Sequence, residues 1–283
     1  MAESPWYATM IALFVWWFST GIILWRVRVA DNGGAHQHAL SVVLGLPLLF
    51  AGIAAFHASL QDGSASGTYL GFFAAVAVWG WLELAFLSGI ITGPNRAPCP
   101  PDTPQLARFW RATGTIAWHE ALLIAALTAM GSASAGAANP FAFLTFALLF
   151  GARISAKLNL FFGVPRINTQ FLPRPLGHLA SHFRRSRITA FFPFSVSVLT
   201  VVSALLLERA VAATTAGGAV GFALLTCMSL LAVLEHWFMV LPLPDEKLWR
   251  WMLPAPKPLS KAAPKTTAKA HLQARLQEDP HGL

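Results

Sequence analysis

The chain alternates between long apolar stretches and short polar connectors. A helix needs about 20 predominantly apolar residues to cross the roughly 30 Å hydrocarbon layer of a membrane. The long stretches lack the alternation of apolar and polar residues at every second position that a membrane-spanning barrel strand requires. The pattern therefore predicts an all-α, polytopic membrane bundle of about seven transmembrane helices, with spans at Trp6–Trp25, Ala39–Leu60, Gly67–Thr92, Thr113–Ser132, Pro140–Gly163, Ala190–Val211 and Gly217–Leu241.

The basic residues are distributed unequally between the two sides of this predicted bundle. Every Lys and Arg except Arg209 falls in connectors one–two, three–four or five–six, in the adjoining half of span five, or after span seven. Cytoplasmic segments of membrane proteins carry an excess of Lys and Arg. We therefore predict a periplasmic N-terminus, a cytoplasmic C-terminus and a multi-pass location in a bacterial inner membrane.

Composition also indicates a lipid environment. Hydrophobic residues make up 55% of the 283 residues and only 11% are charged, against about 25% charged in soluble domains. The net charge of +8 does not indicate nucleic-acid binding, because no recognition fold is visible and cations beside membrane spans contact anionic headgroups. Membrane lipids are therefore predicted partners, and nucleic acid is not. Cys99 and Cys227 predict no disulfide, since one lies in a connector and the other inside a span.

The spans and connectors form one predicted transmembrane domain, residues 1–253. The first apolar stretch has no basic residues before it, so we expect a retained span rather than a cleaved signal peptide. The segments Gln105–Arg111 and Pro175–Arg187 mix apolar and basic residues as short interfacial helices do. Residues 254–283 are rich in Pro, Lys, Ala and Thr and are predicted to form a disordered cytoplasmic tail.

Ionisable side chains interrupt several of the apolar spans at a similar depth. Counting about 1.5 Å per residue from the cytoplasmic span ends places them roughly 9–15 Å deep, in the inner half of the bilayer. An ionised side chain costs roughly 2.5–3.5 kcal/mol near the membrane centre, so these groups should face the bundle interior and find partners there. The predicted cluster consists of Glu83, His119, Glu120, Arg153, Lys157, Asn159, Glu235 and His236.

Two interpretations of this cluster remain open. In the first it is a structural network, in which glutamates bond to Arg153 or Lys157 and each imidazole bonds to a carbonyl or a hydroxyl. In the second it is a site for a cofactor, a metal or a proton, with the whole cluster as candidate cofactor-binding residues and no catalytic residue assigned. Imidazoles ligate the metals of tetrapyrroles. This makes His119 and His236 the buried candidates for a haem or (bacterio)chlorophyll, with His57 as a third.

Metal-ion binding is a further alternative for the same region. Carboxylate-bridged di-iron bundles use Glu-x-x-His, which puts both ligands on one helical face, whereas Glu120 and Glu235 each directly adjoin a histidine. Adjacent helical residues point about 100° apart, so each Glu and its neighbouring His should meet different partners. His178 and His182 would share a face if their connector is an α-helix. The candidate metal ligands are Glu83, His119, Glu120, Glu235 and His236, with His178 and His182 as a separate pair.

Several sequence strings in the membrane part of the chain carry a resemblance to a known family. They are Phe14–Gly21 (FVWWFSTG), Trp79–Glu83 (WGWLE), Gly93–Pro101 (GPNRAPCPP), Ser155–Gly163 (SAKLNLFFG) and Leu234–Asp245 (LEHWFMVLPLPD). Together they resemble the PuhE family of photosynthetic complex assembly proteins from purple-type phototrophic bacteria, over about Trp6 to Leu253. No catalytic residue can be transferred from this family, although five members of the cluster lie inside the strings: Glu83, Lys157, Asn159, Glu235 and His236.

The resemblance implies an integral membrane protein encoded near the gene for the reaction-centre H subunit. Such a protein would aid formation of the reaction centre and its antenna, or tune the supply of bacteriochlorophyll. We therefore predict a factor of the intracytoplasmic membrane that holds (bacterio)chlorophyll, another tetrapyrrole or a pigment-protein subunit. Its partners would be reaction-centre or light-harvesting subunits and other assembly factors. The alternatives are a metal-dependent enzyme of tetrapyrrole or lipid synthesis, and a structural subunit of a photosynthetic complex.

Overall fold

Seven long α-helices dominate the computed structural model, which describes residues 3–242. Each helix is long and apolar enough to cross a membrane, which confirms the predicted all-α, seven-helix membrane bundle. The described range contains no β-strand, although one isolated bridge joins Val164 and Arg185. The predicted disordered tail, residues 254–283, lies outside the described residues. The helices are α1 Pro5–Gly33, α2 Ala35–Ser59, α3 Ala65–Leu87, α4 Gln105–Ser134, α5 Phe141–Phe162, α6 Phe191–Ala212 and α7 Ala216–Phe238.

Helices α3 and α7 form the centre of the bundle. The most apolar window of α3 is 50% buried and that of α7 is 67% buried, whereas the other five helices reach only 17–28%. Helix α3 contacts α1, α2, α4, α5 and α7, and α7 also packs against α1, α5 and α6. The peripheral helices turn large apolar side chains outward, such as Leu44, Leu48 and Phe50 of α2. Lipid tails are the environment that such an outer surface requires.

Side-chain caps start both central helices. The Ser64 hydroxyl accepts a hydrogen bond from the Gly67 N–H at the start of α3. The Thr215 hydroxyl accepts one from the Gly218 N–H at the start of α7. These bonds satisfy backbone donors that have no partner within the helix. The two starts also touch, because the Gly217 carbonyl accepts a 3.2 Å hydrogen bond from the Thr68 hydroxyl.

Helix α3 ends earlier than the hydropathy pattern predicts. We expected the span to continue to Thr92, but the helix stops at Leu87. Gly89 adopts a φ of +72°, and its N–H donates to the Phe86 carbonyl while the Ile90 N–H donates to the Ala85 carbonyl. This pair of bonds is the Schellman motif that ends helices at glycine. Apolar residues continue past the stop, which is why hydropathy alone overextends the span.

The prediction of two separate interfacial helices was also wrong. Gln105–Arg111 forms the first turns of α4, since no helix breaker separates it from the apolar span. The segment predicted at Pro175–Arg187 contains a 3₁₀ helix, Arg174–His182, instead of an α-helix. Prolines at its start remove backbone donors, and a glycine follows. Its apolar residues Leu176 and Leu179 pack against Phe86 of α3 rather than against lipid.

The connectors α1–α2, α3–α4 and α5–α6 meet at one end of the bundle, here called the basic end. The Arg28 guanidinium donates to the Gln170 carbonyl, and the Cys99 N–H donates to the Ser181 hydroxyl. The α5–α6 connector is therefore held both by the last turns of α1 and by the α3–α4 connector. The cytoplasmic location of this end remains a prediction from charge. Cys99 and Cys227 are both free thiols, as predicted.

Candidate functional site

Glu83 of α3 lies in the middle of the intramembrane cluster. Its side chain is 9% exposed, and Oε2 accepts a 2.7 Å hydrogen bond from Nη2 of Arg153 on α5. A charge-assisted bond of this length is among the stronger hydrogen bonds in proteins. Nε2 of His119, on α4, lies 3.7 Å from the other carboxylate oxygen. Glu83 thus joins three helices, and the predicted bond between a glutamate and Arg153 is confirmed.

A second ion pair lies one turn further along α5. The Lys157 ammonium donates to Oε1 of Glu120 on α4 and lies 5.5 Å from the centre of the Phe86 ring. Arg153 and Lys157 are four residues apart, so they share one face of α5. Helix α5 therefore supplies both cations, while α3 and α4 supply one carboxylate each. This arrangement neutralises the buried charges in pairs.

His119 is enclosed without a hydrogen-bond partner. Its side chain is fully buried and stacks on the Phe86 ring at 4.4 Å. Neither ring nitrogen makes a hydrogen bond within residues 3–242, which is uncommon for a buried polar group. Glu120, the next residue, turns away to Lys157. The prediction that adjacent Glu and His residues meet different partners is therefore confirmed here.

His236 and Asn159 are held by hydrogen bonds to their neighbours. Nδ1 of His236 bonds to the Ala232 carbonyl at 2.8 Å, and Nε2 lies 2.8 Å from the Ser155 hydroxyl. Because a carbonyl can only accept, Nδ1 carries the proton and Nε2 accepts from Ser155. The Asn159 amide donates to the Ser195 hydroxyl of α6. A ligand bound at His236 would have to replace the bond from Ser155.

Glu235 faces the surface of the bundle, and the expectation that it points into the interior was wrong. Its side chain is exposed, and Oε1 accepts a 2.7 Å hydrogen bond from the Trp16 indole of α1. It lies near enough to Arg153 and Glu83 to interact electrostatically with both. The Arg153 side chain is itself 38% exposed. Trp16, Arg153 and Glu235 form a surface feature at membrane depth that we call the polar strip.

The candidate metal ligands do not converge. Within residues 3–242, no three His, Cys, Asp or Glu side chains come together as a metal site requires. His57 is exposed at the far end of α2, with its ring beside Phe56. His178 and His182 lie in the 3₁₀ helix, where residues three apart, rather than four, share a face.

His182, in this 3₁₀ helix, should make the stability of the protein sensitive to acid. Burial lowers the pKa of His182 below its usual 6.5, and the positive charges of Arg111 and Arg108 add to the effect. A folded state that holds this imidazole neutral is stabilised above pH 6.5 and loses that stability as the pH falls through the lowered pKa. The unfolding midpoint should therefore fall on acidification below pH 6.5. His182→Gln should weaken this dependence in thermal unfolding measured across that range.

An exposed histidine provides the control for the acid sensitivity. His36 lies on the surface at the start of α2, so His36→Gln should leave the pH dependence as it is in the wild type. An unchanged pH dependence in His182→Gln would contradict the assignment.

The sequence analysis missed several side chains that build the site. Trp16 binds Glu235 and Ser155 binds His236, and both lie inside strings that carry the family resemblance. That location was the available signal for them. Phe86, which stacks on His119, and Ser195, which binds Asn159, look like ordinary span residues. Nothing in the sequence distinguishes these two from their neighbours.

Comparison with known proteins covers nearly the whole chain. The family model DUF3623, described as "Protein of unknown function (DUF3623)", matches residues 1–260. A Rhodobacter capsulatus protein described as "Uncharacterized 30.4 kDa protein in puhA 5'region" is 56% identical over 253 residues, which is 89% of this chain and 92% of the relative. No solved structure matches the chain. The similarity therefore includes all seven helices and the cluster between them.

Proposed function

We propose that this chain, which belongs to the DUF3623 family, is an integral membrane factor that assists assembly of the photosynthetic reaction centre and light-harvesting complex. Its relative in Rhodobacter capsulatus is described by its position in the puhA 5′ region. The resemblance to the PuhE family, with its link to the reaction-centre H-subunit gene, supports the same role. The protein acts in the bacterial intracytoplasmic membrane, with its basic end in the cytoplasm.

The polar strip is the observation that carries this proposal. It presents the Glu235 carboxylate and the Arg153 guanidinium on the bundle surface, within helices that are long enough to span a membrane. Lipid tails offer no hydrogen bonds to such groups, and intramembrane ionisable residues commonly mark functional sites. A partner that brings polar groups into the membrane satisfies them. The keto and ester oxygens of a (bacterio)chlorophyll, or a polar residue on a subunit helix, have this chemistry.

The buried ion pair beneath the polar strip fixes the geometry of such a site. Glu83 holds one terminal nitrogen of Arg153 at 2.7 Å, and Trp16 holds one oxygen of Glu235 at the same distance. The other terminal nitrogen of Arg153 and the second oxygen of Glu235 keep their positions for a partner. A surface fixed before binding loses less conformational freedom on association. This role is binding without turnover.

Complementation of a deletion strain tests the proposal. Glu235→Gln should lower the amount of assembled photosynthetic complex, measured by near-infrared absorption of membranes, because the amide replaces one oxygen of the carboxyl group with an NH₂ group that cannot accept a hydrogen bond from a partner. Glu208→Gln is the matched control, since this exposed glutamate pairs only with the adjacent Arg209 among the described residues. Immunoblots would confirm equal protein levels. A wild-type yield of complex in Glu235→Gln would overturn the proposed role of the strip.

A structural subunit is the second candidate function, favoured by the pairing of buried charges. Glu83 with Arg153 and Glu120 with Lys157 tie α3, α4 and α5 together. Constant co-purification with the mature complex would identify a subunit, whereas an assembly factor leaves the finished complex. The absorption spectrum and metal content of the purified protein separate the remaining roles. Long-wavelength bands indicate a bound pigment, and stoichiometric metal indicates the metal-dependent enzyme.

A further inference from the structure

A groove at the basic end is separate from the polar strip. It opens between the start of α4, the end of α5 and the start of α6, and has a volume of about 490 Å³. Ligand sites in proteins commonly enclose about 300–1,000 Å³. Aromatic and polar residues both line it. The lining residues are Phe162, Phe191 and Phe194, called here the aromatic side, and Gln105, Arg184 and Thr189, called the polar side, together with Ala190.

The aromatic side continues into an apolar stripe along α6. The Phe162 and Phe191 rings lie 5.1 Å apart, and the Phe191 and Phe194 rings lie 6.0 Å apart. Phe194 is 63% exposed. Residues that follow at helical spacing extend the same exposed face toward the other end of the bundle, namely Val198, Val201 and Leu205. The groove therefore leads from the helix ends along the face of a spanning helix.

The polar side carries positive charge that no described carboxylate balances. Arg184 has no ion pair and no side-chain hydrogen bond within residues 3–242. Its backbone is fixed, because its N–H donates to the Leu160 carbonyl and its carbonyl accepts from the Val164 N–H. Arg108 lies near enough for the two charges to repel. The buried Thr189 hydroxyl has no hydrogen-bond partner in the described range either.

We propose that this groove binds one anionic phospholipid of the membrane. The phosphate contacts the Arg184 guanidinium and the Thr189 hydroxyl, and an acyl chain follows Phe191, Phe194 and the stripe on α6. The groove lies where α5 ends and α6 begins, which is the level of headgroups for helices of spanning length. A headgroup that carries its own cationic group binds less tightly, because Arg184 and Arg108 repel that group. The net negative charge of the lipid therefore determines which phospholipid the groove binds.

Lipid retention in nanodiscs tests the polar contact. The full chain is reconstituted in phosphatidylcholine nanodiscs that contain some phosphatidylglycerol. The protein is then released from the nanodisc, and the lipid that stays bound to it is identified by native mass spectrometry. We expect the wild-type protein to retain one phosphatidylglycerol. Arg184→Gln should reduce this retention about fivefold, as expected for one cation near a headgroup. Arg187→Gln is the matched control, since Arg187 is exposed in the same connector and lies outside the groove.

A second pair of variants tests the contact with the acyl chain. Phe194→Ala should lower retention, whereas Leu207→Ala should not, because Leu207 is an exposed residue of α6 that lies away from the stripe. Equal loss in Arg184→Gln and Arg187→Gln would overturn the proposal, because it would show only general attraction to the basic end. Retention of phosphatidylcholine as strong as that of phosphatidylglycerol would also overturn it. Neither result depends on the polar strip, so the proposed assembly role is tested separately.

Discussion

Arg153→Met should lower the free energy of unfolding by about 3 kcal/mol, the loss expected when one partner of a buried ion pair is removed. The substitution leaves the Glu83 carboxylate, which is 9% exposed, with His119 at 3.7 Å and without its hydrogen bond from the guanidinium. The expected loss lies at the lower end of the range for buried pairs because Arg153 is 38% exposed and partly screened. Unfolding in mixed micelles, followed by the loss of helical signal, measures the change.

The double variant Glu83→Gln with Arg153→Met distinguishes a charge effect from a packing effect. It should recover most of the loss, because a buried amide costs less than an unpaired carboxylate. Arg209→Met is the control for an exposed pair, since the side chains of Arg209 and Glu208 are both mostly exposed. It should change the free energy of unfolding by no more than about 1 kcal/mol. A double variant as unstable as Arg153→Met alone would show that packing by the arginine stem dominates.

Gly217→Ala should destabilise the bundle by about 2–3 kcal/mol through overpacking. A Cβ atom at this position would lie 2.1 Å from the Gly63 carbonyl oxygen and 3.0 Å from the Ser64 carbonyl carbon. Both neighbours are backbone, so no side chain can rotate to make room. The start of α7 would have to move away from α3, with loss of the bond from Thr68 to the Gly217 carbonyl. The same unfolding measurement in mixed micelles detects this change.

Gly151→Ala provides the matched control on a spanning helix. A Cβ atom there meets nothing within 4 Å, and Gly151 is exposed on α5. The alanine should stabilise the helix by up to about 1 kcal/mol, because glycine has the lower helix propensity. Similar effects of the two substitutions would contradict the assignment of Gly217 to a close backbone contact.

Hydropathy predicted the seven helices because the apolar length needed to cross lipid is a property of each segment alone. It misplaced the end of α3 because Gly89, which ends the helix, is followed by further apolar residues. It also separated Gln105–Arg111 from α4, since the basic residues there interrupt the apolar run without breaking the helix. Helix boundaries depend on backbone conformation, which an average over side-chain hydropathy does not measure.

The composition of the site was predictable to a smaller extent. Depth counting brought Glu83, Glu120 and Arg153 to one level, and the structure joins Glu83 to Arg153. The choice of partners depends on which helices touch, so the sequence left open whether Glu120 or Glu83 would bind Lys157. Glu235 faces outward and accepts a hydrogen bond from the indole of Trp16, a residue more than two hundred positions away in the chain, so this pairing could not be read from the sequence around Glu235. The groove at Arg184 likewise requires three elements to be placed together.

The burial of α7 at the bundle centre has a consequence for biosynthesis. Ribosomes complete this helix after the six others, yet it packs against α1, α3, α5 and α6. Until α7 is inserted, the face of α3 that packs against it lacks this partner. Insertion of α7 supplies that partner, so the bundle is completed only when its last helix enters the membrane. Truncated chains that stop before Ala216 should be substrates for membrane proteases.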